Sequence, residues 1–433
     1  MSWNPPVAKR SSLPGQTGGR RKSRRARQGG DRPLPRLDGE VQSASGAAGG
    51  RPGGDPDDAA DHRQAPRVEE PQASLFEPGG AVAEEPHDQP EDPERKRREG
   101  ERPPVLREAA SVSRENECPA CGCTRVKTLC HGTDKLYATT VDSFLVVECA
   151  ECRLIRLFPR PTPAQLQSYY PENYWFDPGA DTADRLADGW RKLVLRDHVR
   201  FVLRALEDAG NEGRILDVGC GGGLLLRELG LPEARLAGLD YSVDAAAVAW
   251  GSRGVPAVCG ALTRAPFARG SFSVVTMFHV LEHLYDPIAY IEAARELLAP
   301  GGRLVVQVPN AGCWQFLLFG ENWNGLDIPR HLINFKEGDL KNLLEHCGFE
   351  LERVKHFSLR DNPAGMATSM ASSLDPMSRR IRGVQETPRR KLFKDAIYFL
   401  LVLISFPFTL LEALAHAGST VMIQARVKDA PPR

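Results

Sequence analysis

The sequence predicts an α/β fold, a doubly wound and mostly parallel sheet covered by helices on both faces. Three observations predict it. From Gly213 onward, short runs of β-formers alternate with amphipathic helical stretches. The first such run, "RILDVG" at 214–219, opens into the glycine loop "CGGG". A second run, "LAGLD", ends on a carboxylate, Asp240. Alternation of this kind buries strands between two helical layers and joins them by parallel crossovers.

The chain of 433 residues is larger than its predicted ordered part. Residues 1–115 are rich in Gly, Pro, Arg, Asp and Glu, and are expected to form a disordered, low-complexity tail because too little apolar surface is available to offset ordering entropy. The tail opens with Lys9, Arg10, Arg20, Arg21, Lys22, Arg24, Arg25 and Arg27. Such an arm is ordinarily a solvated tail, the alternative being a site for RNA, anionic lipid or an acidic partner. The formal net charge of +0 gives no support to nucleic-acid binding by the whole chain. The basic start is not followed by an apolar core, so no secretory signal is read, and the cysteine usage suits a reducing compartment. A cytoplasmic location is expected.

Residues 116–160 form a cysteine module. Cys118/Cys121 in "CPACGC" and Cys149/Cys152 in "CAEC" are two Cys-x-x-Cys knuckles, which together supply four thiolates for one tetrahedral ion. Structural zinc is the leading reading; free thiols or a rubredoxin-like iron site are the alternatives. Cys123 and Cys130 are spare. A closed four-thiolate site leaves no position for substrate, so this module is expected to be a zinc-ribbon-like support. Residues 161–212 read as a linker and a helix from Asp184 to Ala209, with Leu193, Val194, Val199, Val202, Leu203 and Leu206 on one side. The aromatic cluster in "PRPTPAQLQSYYPENYWF" is either packing or a wall over a ligand.

The main domain spans 213–433. Strands are predicted at 214–219, 235–240, 256–260, 272–279 and 303–308, and helices at 223–230, 244–252, 286–299 and 338–347. "STVMIQARV" is predicted as a final strand, antiparallel beside one near 349–357. Ligands of such sheets sit at the carboxyl ends of the strands, which places the glycine loop, Asp240, Ala261 and His279 around one crevice.

The glycine loop narrows the ligand. A phosphate-cradling P-loop needs Gly-Lys-Ser/Thr, and Leu-Leu-Leu follows here. A dinucleotide fingerprint needs glycine at its sixth position, where Leu224 stands. Asp217, two residues before the first glycine, is ill placed beside a pyrophosphate and well placed beside an amino group. Asp240 ends the second strand, where a carboxylate accepts both hydroxyls of a ribose. A nucleoside with a cationic amino-acid tail and no phosphate satisfies both. S-adenosylmethionine is such a molecule.

With "ILDVGCGGG", "GLDYS", "APFARGSFSVVTMFHVLEHLYDP" and "ELLAPGGRLVVQVPN" in that order, residues 184–360 resemble the class I S-adenosylmethionine-dependent methyltransferases. The resemblance implies a Rossmann-like, mostly parallel seven-stranded sheet. It implies that Asp217, Gly219 and Gly221 line the methionine end, that Asp240 holds the ribose, that Ala261 and Leu262 flank adenine, and that Tyr241 is among the cofactor-binding residues. The family usually carries an acidic residue near Ala261; this sequence does not, which leaves the adenine amino group to backbone contacts. "CPACG", "CAECRLIRLFPRPTPAQLQSYYPENYW" and "NWNGLDIPRHLINF" also make 118–360 similar to a narrower bacterial group, in which a cysteine ribbon precedes the catalytic domain and which is often linked to polysaccharide or other glycan biosynthesis.

Methyl transfer is an in-line displacement from an activated donor, so the protein aligns the nucleophile and, where needed, removes a proton. Candidate bases are His279 and His283 in "FHVLEHL" and His331 in "IPRHLINF". His279, at the end of a strand, is expected to contact cofactor or acceptor. Glu282 and His283 either serve the chemistry or brace the loop. Arg330 either pairs with an acidic substrate or anchors its loop, Trp314 and Trp323 either stack on a sugar or aromatic acceptor or fill the core, and Asn310 completes the rim.

An apolar insert at about 379–416 contains "AIYFLLVLISFPFTLLEALA", 396–415, which is long enough to cross a bilayer. Strands of one sheet flank it, so it must leave and return on the same side. Pro407 is expected to break the helix into a re-entrant or interfacial hairpin, with Arg379, Arg380, Arg389, Arg390, Lys391 and Lys394 facing anionic lipid at the inner face of the cell membrane. A buried helical pair or a dimer contact is the competing reading.

The expected function is therefore methyl transfer to a small-molecule, sugar or lipid-linked glycan acceptor. The alternatives are a zinc-containing RNA methyltransferase, against which "VPNAG" stands where many base-amino enzymes carry Asn/Asp-Pro-Pro-aromatic, and a cofactor-binding protein that no longer catalyses. A nicotinamide oxidoreductase is the most distant.

Overall fold

A computed structural model describes residues 117–171 and 182–428. The predicted tail and part of the aromatic segment lie outside the described residues.

The cysteine module contributes β1 (Val126–Gly132), β2 (Phe144–Cys149) and β3 (Ile155–Phe158), an antiparallel meander. Its hydrophobic face is buried: Phe144, Val146, Ile155 and Leu157 join the same core cluster as Leu216 and Met277 of the main sheet. α1 (Pro163–Ser168) is capped by Thr162, and α2 (Thr182–Asp208) leads into the main domain.

There, β4 (Ile215–Val218), α3 (Leu224–Glu228), β5 (Leu236–Asp240), α4 (Val243–Arg253), β6 (Ala257–Cys259), β7 (Phe272–Phe278), α5 (Pro287–Leu297) and β8 (Leu298–Pro309) alternate as predicted. Local chemistry sets the ends. Ser242 caps α4 by accepting from Ala245 N, Gly254 closes it with φ +65°, and Asp286 followed by Pro287 starts α5. α6 (Trp314–Phe319), β9 (Ile333–Asn334), α7 (Glu337–His346), β10 (Phe349–Lys355), α8 (Asn362–Met370), α9 (Pro376–Ile381), α10 (Pro388–Leu414) and β11 (Thr420–Val427) complete the chain.

The main sheet has the order β6-β5-β4-β7-β8-β11-β10. Its seven strands are parallel except β11, which runs antiparallel to both β8 and β10, as predicted. The strand order reverses between β4 and β7, which opens a crevice at their carboxyl ends. β9, a piece of the loop after β8, does not join this sheet. It pairs with β3, Ile155 opposite Asn334 and Arg156 opposite Ile333, so the cysteine module and the main domain share a sheet.

One expectation is overturned. Residues 388–414 form a single helix through Pro407, with no hairpin. A proline removes one helical donor and crowds the carbonyl four residues back. Pro407 lies on the exposed face, and polar contacts on the inner face hold the helix on both sides of it. Thr368 and Tyr398 hydroxyls bond at 2.9 Å, and Glu412 accepts from Gln315 N and Nε2 at 2.9 and 2.7 Å. The anchored ends outweigh one missing bond. A further correction concerns charge. Arg379 is buried and pairs with Glu386 and Asp395, so it does not face outward as expected; Lys394 is partly exposed and paired with Glu386, and Arg380, Arg389, Arg390 and Lys391 are exposed.

Candidate functional site

Asp217, at the end of β4, is buried, and its Oδ1 accepts from Thr276 Oγ1 at 2.5 Å. Burial pushes its carboxyl up to about 7; Thr276 opposes this and the charge of Asp240 adds to it. A carboxylate so placed is completed by a cation, and the amino group of S-adenosylmethionine is one. Gly219 has φ +73°, and a Cβ there would stand 2.6 Å from Val280 Cγ2. Val280 therefore packs directly on the loop backbone, and only glycine fits there. Asp240 binds the loop from the other side: Gly221 N donates to its Oδ2 and Ser242 N to its Oδ1, each at 2.9 Å. These residues fit the cofactor's two polar ends. Tyr241 is exposed, whereas Leu262 buries its side chain in the core, which leaves its backbone and Ala261 for any ligand contact.

His279 follows β7 with φ +56°, a conformation that non-glycine residues rarely hold. Its side chain is 28% exposed. Nδ1 lies 3.1 Å from Glu282 Oε1, and Nε2 lies 2.8 Å from Gln307 Nε2 and 3.6 Å from Asp361 Oδ2. Burial opposes a charge on this ring, but Asp361 and Glu282 on its two sides outweigh it and raise its pKa to about 9. The same contacts, against burial, hold Asp361 well below the usual carboxylate range and lower Glu282.

His283 and His331 meet around Glu282, their rings 4.6 Å apart. His331 Nδ1 donates to Gly325 O at 2.8 Å, which leaves Nε2 facing Glu282 at 4.0 Å and Asp327 at 3.8 Å. Burial and the charge of His331 push His283 down to about 4, and its Nδ1 donates to Arg330 O at 3.1 Å. A ring held neutral in this way braces the loop. Thus three histidines nominated by the sequence lie together, and His279 has carboxylates on both its nitrogens.

Other candidates separate. Arg330 is 0% exposed and anchors its loop: it bonds Asp134, Asp327 and Tyr169 O and lies over the Tyr137 ring at 4.4 Å, so it is no substrate cation. Trp323 is buried against Phe316 in the core, while Trp314 is partly exposed beside Phe408. Asn310 braces backbone, donating to Gly418 O and accepting from Gly312 N. Three residues have no marker in the sequence. Asp361 in "LRDNPAG" looks like a helix start, His198 like one position of an amphipathic helix, and Gln307 like a strand residue. They adjoin His279 because the ends of β8 and β10 and the flank of α2 converge there.

The four knuckle thiols also converge. Cys118 and Cys152 Sγ are 3.5 Å apart, as are Cys121 and Cys149 Sγ, and all four lie within 4.8 Å of one another. None is in a disulfide. Cys123 instead points to Arg125 O, outside the group. Four soft donors at this spacing are the set that a tetrahedral thiophilic ion takes.

A family model described as a methyltransferase domain matches residues 187–354. A ubiquinone biosynthesis O-methyltransferase of Xanthomonas axonopodis pv. citri is 32% identical over 197 residues, covering 42% of this chain and 78% of its own length. A protein of the same name from Xanthomonas oryzae pv. oryzae (strain PXO99A) is 34% identical over 206 residues, again covering 42% of this chain and 78% of its own. Among solved structures, a SAM dependent methyltransferase from Archaeoglobus fulgidus aligns with TM-score 0.35 and 16% identity over 57% of this chain and 100% of that one.

Proposed function

This chain belongs to the class I S-adenosylmethionine-dependent methyltransferases, and from that premise we propose that it methylates a hydroxyl oxygen of a small-molecule acceptor. The buried, cation-seeking Asp217 beside the glycine loop carries the donor half of this reading. His279 carries the acceptor half. When bound, the cofactor supplies an activated methyl group on sulfur. Asp217 meets its amino group and Asp240 its ribose hydroxyls. His279, once neutral above its raised pKa, would serve as the base for the acceptor's proton, with Asp361 and Glu282 beside the ring to stabilise the imidazolium. A phenol of the kind made in quinone biosynthesis, a sugar, or a lipid-linked glycan each offers such a hydroxyl; the relatives' names favour the first. The test is transfer of labelled methyl from the donor to panels of phenols, sugars and lipid-linked sugars. Transfer to none of them, with donor binding intact, would leave a non-catalytic binding protein.

Two supports complete the reading. A zinc ion on Cys118, Cys121, Cys149 and Cys152 would hold the ribbon, its role structural because four thiolates close the ion's coordination. α10 would lie on the cytoplasmic face of a membrane. Its polarity is inverted for a core helix: Ser405, Thr409 and Glu412 face the protein, while Phe399, Leu403, Ile404 and Leu411 are exposed. Arg389, Arg390 and Lys391 in its first turns suit anionic headgroups. Both ends return to one sheet through β10 and β11, so the helix would lie along the surface and not across it.

A further inference from the structure

We propose that α6 is a second lipid-inserting element beside α10, so that the membrane-facing surface begins at the rim of the crevice itself. This rests on the reading of α10 as a membrane-surface helix, and adds to it a second helix and an orientation. Two leucines carry it. Leu317 is 83% and Leu318 61% exposed, on a helix of six residues that holds no charged side chain. Residues three and four apart share a helix face. Trp314, Leu317 and Leu318 therefore form one outward stripe, while the fully buried Gln315 turns inward to Glu412 of α10.

The same spacing on α10 puts Ile404, Phe408 and Leu411 in one stripe, of which Ile404 and Leu411 are exposed. Phe408 meets Trp314 edge to face, ring centroids 6.2 Å apart. That contact joins the two stripes into one apolar surface. Charge does not interrupt it. From Ala396 to Leu414, roughly 27 Å of helix at 1.5 Å per residue, the one charged residue is Glu412, and it is buried. Monomers rarely leave so extended an apolar surface uncovered.

A bilayer and a second copy of the chain compete for this face, and charge decides between them. Arg389, Arg390 and Lys391 are exposed at the start of α10, and Arg380 and Arg382 are exposed just before it. A two-fold copy lays the same patch against itself and needs carboxylates to meet these cations. α6 has none. On α10, Asp395 is paired with Arg379 and Glu412 is buried. Anionic headgroups supply the missing charge, and the acyl boundary takes the leucines.

The orientation follows from how short the tethers are. Gln307 Nε2, near the end of β8, lies 2.8 Å from His279 Nε2, and Trp314 is only seven residues further along the chain. That length reaches at most about 25 Å even when fully extended. A second route runs through α8. Gln307 Nε2 donates to Asp361 Oδ2 at 2.8 Å, α8 starts at the next residue, and its Thr368 hydroxyl meets that of Tyr398 on α10 at 2.9 Å. Insertion of α6 thus holds the β8 end of the crevice at the headgroup layer.

The experiment uses the full chain and vesicles of phosphatidylcholine with phosphatidylglycerol, the phosphatidylcholine carrying bromine near the headgroup end of its acyl chains. Bromine quenches tryptophan at contact range, and comparison with Trp314→Phe isolates the Trp314 signal. The parent should show quenching that Trp314→Phe removes. Leu317→Asp with Leu318→Asp should weaken vesicle affinity at least ten-fold and keep the parental melting temperature, because both side chains are already exposed. Parental vesicle affinity in that double variant overturns the proposal and leaves α10 as the lipid contact. An unquenched Trp314 in vesicle-bound parent overturns it without recourse to any variant that must fold. A parent that binds neither these vesicles nor pure phosphatidylcholine overturns the reading of α10 itself, so the two failures are distinct. A lipid-free dimer that the leucine substitutions dissociate gives the face to a second copy, and overturns the proposal as well.

Discussion

Arg330, in the loop after β8, donates two hydrogen bonds to Asp134 of the cysteine module, at 2.8 and 3.0 Å, with both side chains wholly buried. Against the cost of burial, this contact holds the Asp134 carboxyl down at about 2. Removing one member of a buried pair strands the other charge and costs about 3–5 kcal/mol. Arg330→Leu should lose stability on that scale in urea unfolding, and Arg330→Leu with Asp134→Leu should recover part of it. A loss below about 1 kcal/mol, the level of an exposed pair, would show that the contact does not join the two modules.

Donor affinity tests the two crevice carboxylates. A hydrogen bond to a charged group is worth about 1.5–3 kcal/mol, so Asp217→Asn and Asp240→Ala should each weaken S-adenosylmethionine binding by about 10- to 150-fold in calorimetry. Parental affinity in both would remove the central assignment.

Asp217 also makes a prediction in the absence of ligand. Its folded pKa, near 7, lies above the ordinary value of 3.8, so the native state binds this proton more tightly. Its ionisation therefore erodes stability as pH rises from about 4 to 7. Asp217→Asn cannot ionise. At pH 8 without donor it should be more stable than the parent, and the difference should fade toward pH 4. Equal melting curves across that range would mean Asp217 carries no such penalty.

His279 acts over a different window. Its pKa is raised from 6.5 to about 9, so its ion pairs with Asp361 and Glu282 stabilise the fold fully below 6.5, and that contribution is lost as pH rises through about 9. The melting temperature of the parent should fall between those limits, and His279→Gln should flatten the fall. Parallel curves for the two would be the contrary result.

Metal and membrane each have a direct assay. Native mass spectrometry should find one zinc per chain, and Cys149→Ser should abolish it and lower the melting temperature. For α10, the parent should float with vesicles containing anionic lipid at moderate salt, and Leu403→Asp with Ile404→Asp should stay in solution. A chain that ignores lipid and instead forms a dimer broken by the same substitutions would assign the exposed face to a second copy.

The sheet and the donor crevice were legible because their signals are local. The strand that carries Asp217, the glycines after it and the carboxylate closing β5 lie within one short stretch of chain, and each residue type follows from what it must touch. Arg330 and Asp134 are 196 positions apart, so no spacing pairs them. Asp361 was hidden for the same reason: its significance comes from His279, Gln307 and His198 arriving from three other elements. Pro407 misled because its rule concerns an isolated helix, whereas here polar anchors at Tyr398 and Glu412 on either side hold the helix together.

The pairing of β9 with β3 makes the loop after β8 a joint possession of two modules. It follows that their inheritance is coupled. A chimaera built by grafting the ribbon of one relative onto the catalytic half of another would inherit mismatched edges unless residues 327–334 travelled with the ribbon. The cysteine module and that loop should accordingly be exchanged together, as one transplantable cassette.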